Sequence, residues 1–205
     1  MIGLLIKDLY ALKKQWRVVF LITIIYLVFS ISSENMSMFS TISIVYAIIL
    51  PMSAMAYDEH CKWDKYALSL PLSRTTIVLS KYVLGIMLNL AAGILVSGVN
   101  VAFSYYWGQD IGEAIATALG ISGAGLIMLA VMLPVLFKFG VEKARLIMIV
   151  IFLVPTLLVL LVPGVEFDLS PQLLSALPYL LPVAIVAVVL LSMLISVKIY
   201  TRKEF

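Results

Sequence analysis

The 205 residues carry 14 lysines and arginines against 11 aspartates and glutamates, a net charge of +3, and are 63% apolar and only 12% charged. With a mean hydropathy of +1.15, far above the balance of a water-soluble domain, the composition excludes a single soluble core and points to lipid as the main solvent. One cysteine and one histidine, Cys61 and His60, exclude an internal disulfide and a Cys/His zinc centre.

In chain order, Met1 to Trp16 places Ile2, Leu5, Leu9, Leu12 and Trp16 on one helical face and Lys7, Lys14 and Gln15 on the other. That pattern predicts an amphipathic helix lying in the membrane interface, with an ordinary charged flank of the first crossing as the alternative. Six charge-free apolar segments follow: Val18 to Ser33, Ser37 to Tyr57, Tyr82 to Trp107, Ala114 to Phe137, Leu146 to Val165 and Leu177 to Val197. Each approaches the roughly 20 residues a transmembrane helix needs. The expected fold is an all-α polytopic membrane protein, one six-helix domain over residues 1–205.

Between the second and third segments, Asp58 to Lys81 reads as helix, break, helix. Trp63, Tyr66 and Leu70 share a face, Pro71 ends the first helix and Ser73 N-caps the second. A connector needs only a few residues and no aromatic face, so this stretch reads as a docking element, with a plain solvated connector as the alternative. Along the third segment Gly85, Asn89, Gly93, Ser97, Asn100 and Ser104 recur at helical spacing. Such a stripe avoids lipid and serves either close helix packing, or a pathway wall or subunit interface. The fourth segment repeats small residues at Thr117, Gly120, Gly123 and Gly125, and the second has Ser43, Ala47 and Pro51. Before the sixth, Val165 to Pro178 reads as either a short outer helix starting at Ser170 and Pro171 or an irregular loop.

Orientation follows from the basic residues. Lys7, Lys13, Lys14, Arg17, Lys62, Lys65, Arg74, Lys81, Lys138, Lys143, Arg145, Lys198, Arg202 and Lys203 all fall on one side, whereas the opposite loops hold only Glu34, Asp110, Glu113, Glu166 and Asp168. The positive-inside rule then puts both termini and the Asp58 to Lys81 stretch in the cytoplasm.

No segment carries a charge at membrane depth, which argues against a lone proton- or ion-driven carrier and an intramembrane protease. No Gly-x-x-x-x-Gly-Lys-[Ser/Thr] phosphate cradle occurs, and no loop is long enough for a nucleotide-binding fold. If ATP drives the protein, the energy arrives from another chain through the Asp58 to Lys81 surface.

These residues resemble the membrane subunits of type-2 ATP-binding cassette (ABC-2) exporters. The resemblance lies in acidic Glu59 ahead of the Trp63 and Tyr66 helix, in Ser-Leu-Pro-Leu-Ser-Arg at Ser69 to Arg74, in Ser-Lys-Tyr at Ser80 to Tyr82, and in the C-terminal Ile-Tyr-Thr-Arg-Lys-Glu-Phe. It implies a coupling helix seated on a cytoplasmic ATPase subunit, with Asp58, Glu59, Trp63, Tyr66, Leu70, Arg74 and Lys81 carrying the coupling. It also implies a second permease subunit, the same or different, membrane lipid around the pair, no nucleic-acid partner, and no cofactor here, ATP and Mg belonging to the ATPase. Many relatives have a basic residue where this chain has His60, so Glu59 is expected to reach Arg74 or Lys81 instead. The expected activity is non-enzymatic export of a hydrophobic or amphipathic compound, such as a peptide or lipid-like drug, across a bacterial plasma membrane. The alternatives are the substrate-binding subunit of a vitamin uptake complex, for which Tyr105, Tyr106 and Trp107 would line a pocket, and a non-transporting immunity or scaffold protein.

Overall fold

A backbone that crosses lipid must satisfy its own N–H and C=O groups, so continuous apolar stretches fold as helices. The computed structural model describes residues 1–13, 15–33, 35–69, 73–161 and 171–203, of which 43, 64–65, 68, 152, 155–156, 158–161 and 171–179 are described by backbone alone. The described residues form α1 (Ile2–Leu12), α2 (Trp16–Ser32), α3 (Met36–His60), α4 (Trp63–Ser69), α5 (Arg74–Trp107), α6 (Ile111–Phe139), α7 (Val141–Leu161) and α8 (Pro171–Arg202). Local chemistry sets the boundaries. Asn35, Ser73 and Asp110 accept from the amides of Ser37, Thr76 and Gly112 and so start α3, α5 and α6. Gly108 (φ 68) stops α5 in a left-handed turn that a side chain would strain.

By length and composition α3, α5, α6 and Leu180–Arg202 of α8 are each able to cross a membrane. A fifth crossing results if α1 and α2, bent by 65° at the break between them, act as one. The chain is thus multi-pass and all-helical among the described residues. α7 overlaps the expected Leu146 to Val165 crossing, whose last residues lie outside the described ones. At 34 residues α5 is roughly 51 Å long, well over a hydrocarbon core of about 30 Å, so it projects from the bilayer.

α3, α5 and α6 pack on one another, with α8 against α6 and α5, α7 against α6, and α1 and α2 along the α3 side. Small residues set the approach. Gly85 sits where a Cβ would fall 2.3 Å from Leu129 Cδ1, and Gly125 where it would fall 2.4 Å from Asn89 Nδ2. Near the α4 end the core gathers Tyr82, Phe137 and Tyr200, the last two edge-to-face at 5.5 Å. Tyr82 Oη lies 2.6 and 2.8 Å from Ser192 Oγ and Ser196 Oγ, and Ser192 donates to the Ala130 carbonyl. Because each hydroxyl has one proton, the chain has one direction: Ser196 donates to Tyr82, Tyr82 to Ser192, and Ser192 to α6.

Two expectations are corrected. The α1 face toward the protein is Leu4, Asp8 and Leu12, while Ile2 is 74% exposed and Trp16 39%; an ion pair outweighs apolarity in orienting the helix. α8 begins at Pro171, as the Ser-Pro pair predicted, but continues through Pro178 and Pro182 without a break. Among the described residues no separate outer helix precedes it; residues 165–170 of that predicted segment lie outside them. Proline persists within membrane helices because neighbouring groups satisfy the freed carbonyls.

Replacing Gly125 by alanine will lower unfolding stability in detergent by about 1–3 kcal/mol, the usual cost of overpacking. Gly98→Ala, at a site where a Cβ meets nothing within 4 Å, will show no such loss; equal thermal shifts for the two would contradict the packing described.

Candidate energy-coupling site

Four ionic groups converge where α1, α3 and α5 meet. Lys81, buried near the start of α5, places Nζ 2.8 and 2.7 Å from the two carboxylate oxygens of Asp8 and 2.5 Å from Asp58 Oδ2. Lys7 closes the circuit at 2.5 Å from Asp58 Oδ1 and 3.2 Å from Asp8 Oδ1. Two cations and two carboxylates sum to zero. That balance is what makes burial tolerable, since Asp8 is 1% and Lys81 6% exposed and an unpaired charge at such depth would cost several kcal/mol.

α4 attaches to the same cluster. Lys7 Nζ stands 4.2 Å from the centroid of the Trp63 ring, a cation–π contact strengthened by partial desolvation. Ala67, four residues on, is fully buried in the core that contains Tyr82 and Phe137. The inward face of α4 is therefore Trp63 and Ala67. Tyr66, expected on that face, is 58% exposed, though its ring packs against Trp63 at 5.3 Å. Leu70, with Pro71 and Leu72, lies outside the described residues.

Glu59 does not reach Arg74 or Lys81. α3 continues to His60 and turns Glu59 toward α7, where Oε2 accepts from the Val141 amide at 2.7 Å. A carboxylate there satisfies an orphan N–H and meets the positive end of the helix dipole. Gly140, at φ +78, sits where a Cβ would be 2.9 Å from Glu59 Oε1, so both space and backbone conformation favour glycine. Arg74 turns instead to α8, donating to the carbonyls of Thr201 (2.7 Å) and Lys203 (3.2 Å), and Lys203 donates to the Phe137 carbonyl at the end of α6. The residues expected to carry coupling thus address three partners: Asp58 and Lys81 reach α1, Glu59 reaches α7 and Arg74 reaches α8.

The α5 stripe packs largely within the chain, and Asn100 and Ser104 also line a cavity at the end away from α4. Gly85, Asn89, Gly93, Asn100 and Ser104 are buried and Ser97 is half-buried. Gly85 faces Leu129, Gly93 faces Ser122, Asn89 faces Gly125 and Ala47, and Asn100 donates to Ser40 Oγ at 2.7 Å. The Asn89 amide has no hydrogen-bond partner among the described residues. Tyr105 and Tyr106 are each 81% exposed. Sequence reasoning missed Asp8, although its signal is present: it is the one acidic residue before Glu34, on the same helical stripe as Leu4 and Leu12.

Lys81→Met will destabilise the chain by about 3–5 kcal/mol, since two carboxylates then share only Lys7. Adding Asp8→Asn will recover part of that loss, and strictly additive effects would contradict a shared cluster. Glu59→Ala will cost about 1 kcal/mol, the worth of a helix cap, whereas Glu59→Gln, which keeps an acceptor, will cost less. Thermal unfolding of both variants checks this, and indistinguishable losses would count against capping.

The chain matches the family described as ABC-2 family transporter protein over residues 3–201. No curated protein and no solved structure matches it. A match over nearly the whole length shows that this chain belongs to the ABC-2 transporter family, as a multi-pass membrane permease component that associates with an ABC ATPase.

Proposed function

We propose that the chain is the permease subunit of an ATP-driven exporter, moving a hydrophobic or amphipathic compound such as a peptide or lipid-like drug outward across a bacterial plasma membrane. It makes six crossings with both termini cytoplasmic, pairs with a second permease subunit, and receives work from a separate ATPase at α4. ATP and Mg act in that ATPase, and catalysis is absent from this chain. The reading rests on one observation: α4 presents Tyr66 outward while Trp63, beneath it, touches a charged cluster joining three helices. A push on α4 therefore reaches Lys7, and through Asp58 and Lys81 it reaches α3 and α5.

The complete segregation of basic residues to the α4 side supports the orientation. Spans without ionisable residues at depth, bearing Met and aromatic side chains, offer adaptable apolar contacts and suit apolar or amphipathic cargo. Gly85, Asn89 and Gly93 of the α5 stripe support the bundle by packing against α6.

Tyr66→Ala in the assembled complex, reconstituted in vesicles, is expected to weaken ATPase association with little loss of permease stability. Trp63→Ala is expected to retain ATPase binding but to lose most ATP-dependent efflux of a fluorescent amphipathic peptide. Full efflux from both variants would refute α4 as the site where work enters.

A further inference from the structure

α3 and α6 each carry a proline inside the helix, Pro51 and Pro134. A proline has no N–H, so the carbonyl four residues earlier loses its helical partner. For Pro134 that carbonyl belongs to Ala130, and Ser192 of α8 donates to it. For Pro51 it belongs to Ala47, and no described side chain donates to it.

Asn89 stands opposite Ala47, near the midpoint of α5 and fully buried. A Cβ on Gly125 would run into Asn89 Nδ2 and would lie 3.4 Å from the Ala47 Cβ, so the amide and Ala47 border the same small space over the glycine. Neither Nδ2 nor Oδ1 of Asn89 has a hydrogen-bond partner among the described residues. A donor lacking an acceptor thus sits beside a carbonyl lacking its helical donor, and both are costly to leave unmet in apolar surroundings.

Pro51 also divides α3 mechanically. The part toward His60 is fixed by Asp58, within the ionic cluster, and by Glu59 at the head of α7. The part toward Met36 is held by Phe39 and Ile42, packed with Val96 and Ala118, and by the hydrogen bond from Asn100 to Ser40. A bend at Pro51 moves this second part without disturbing the four charges, and it opens the freed carbonyl away from the helix axis.

We infer that Asn89 and the Ala47 carbonyl are the two halves of a latch between α5 and α3, apart in this conformation and joined when α3 bends at Pro51. The bond is made in one nucleotide state of the ATPase-loaded complex and absent in the other. Gly125 supplies the space in which the amide turns, and Ser192 on Ala130 is the same kind of bond already made on α6. The latch goes beyond the export reading and requires only that an ATPase drives the chain, whatever the cargo.

The test uses the full chain with its ATPase in nanodiscs, isotope-labelled at asparagine nitrogen and alanine carbonyl carbon. Solid-state magnetic resonance reads the dipolar contact between Asn89 Nδ2 and the Ala47 carbonyl, assigned by its loss in Asn89→Leu. The contact is expected in only one of the nucleotide-free and vanadate-trapped states. Equal contact in both, or contact in neither, overturns the latch and needs no variant.

Two substitutions separate a latch from a packing residue. Asn89→Leu removes the unmet amide at similar volume, and Pro51→Ala restores the helical bond to Ala47. Each is expected to raise the thermal unfolding midpoint while lowering ATP turnover by the complex about tenfold, roughly the worth of one hydrogen bond. Because both act on the same bond, the double variant should fall no further than either alone. A loss of about a hundredfold in the double variant, a midpoint that drops together with turnover, or turnover at the parent rate would each contradict the latch. A switching contact in a complex that exports no amphipathic compound would discard the export reading and leave the latch standing.

Discussion

The α4 end of this protein is organised around a neutral ionic cluster that the surrounding apolar packing could not tolerate in any partial form. Lys81 is held by Asp8 and Asp58, and Lys7 returns to both carboxylates. Removing water from four charges is expensive, and mutual attraction offsets that cost only while all four keep their geometry. The cluster therefore acts as a rigid joint. α1 cannot roll, nor α5 slide against α3, without exposing a bare charge to a low-dielectric core.

Around that joint the residues flanking α4 reach further helices. Glu59 terminates α3 and begins α7 through one hydrogen bond, and Arg74 holds the last carbonyls of α8. Within the membrane the contacts change character. There the helices meet through glycines and short hydroxyls, with Gly85 and Gly125 allowing close approach and the Ser196, Tyr82 and Ser192 relay linking α8 through α5 to α6. Ionic links at the α4 end and small-residue links along the bundle give a unit suited to transmitting displacement instead of absorbing it.

Much of this was legible in the sequence, for reasons that follow from the solvent. Apolar length located the helices, and Ser73 announced the start of α5 because a short hydroxyl before a helical run has few other uses. The α5 stripe was visible as a non-lipid face, but periodicity cannot say whether such a face meets another helix of the same chain or a passage. The ionic joint was hidden because its α1 members lie far from their partners in sequence, Lys7 by 51 residues from Asp58 and Asp8 by 73 from Lys81, and only tertiary packing brings them together. Glu59 was misdirected for a related reason. It was expected to meet Arg74 or Lys81, basic residues of its own loop, whereas the folded chain offered it an uncharged backbone amide at the head of α7.

The central claim is that α4 and α1 move as one body when ATP is engaged. Cys61 is exposed and is readily replaced by serine, after which spin labels at Ile2, Tyr66 and Tyr105, all well exposed, report three distances by pulsed electron resonance in the ATPase-loaded complex. Between nucleotide-free and ATP-trapped states the Ile2 to Tyr66 distance should stay constant while both change relative to Tyr105. A shift of Tyr66 relative to Ile2 in the parent chain, as large as its shift relative to Tyr105, would show that the ionic joint does not carry the motion.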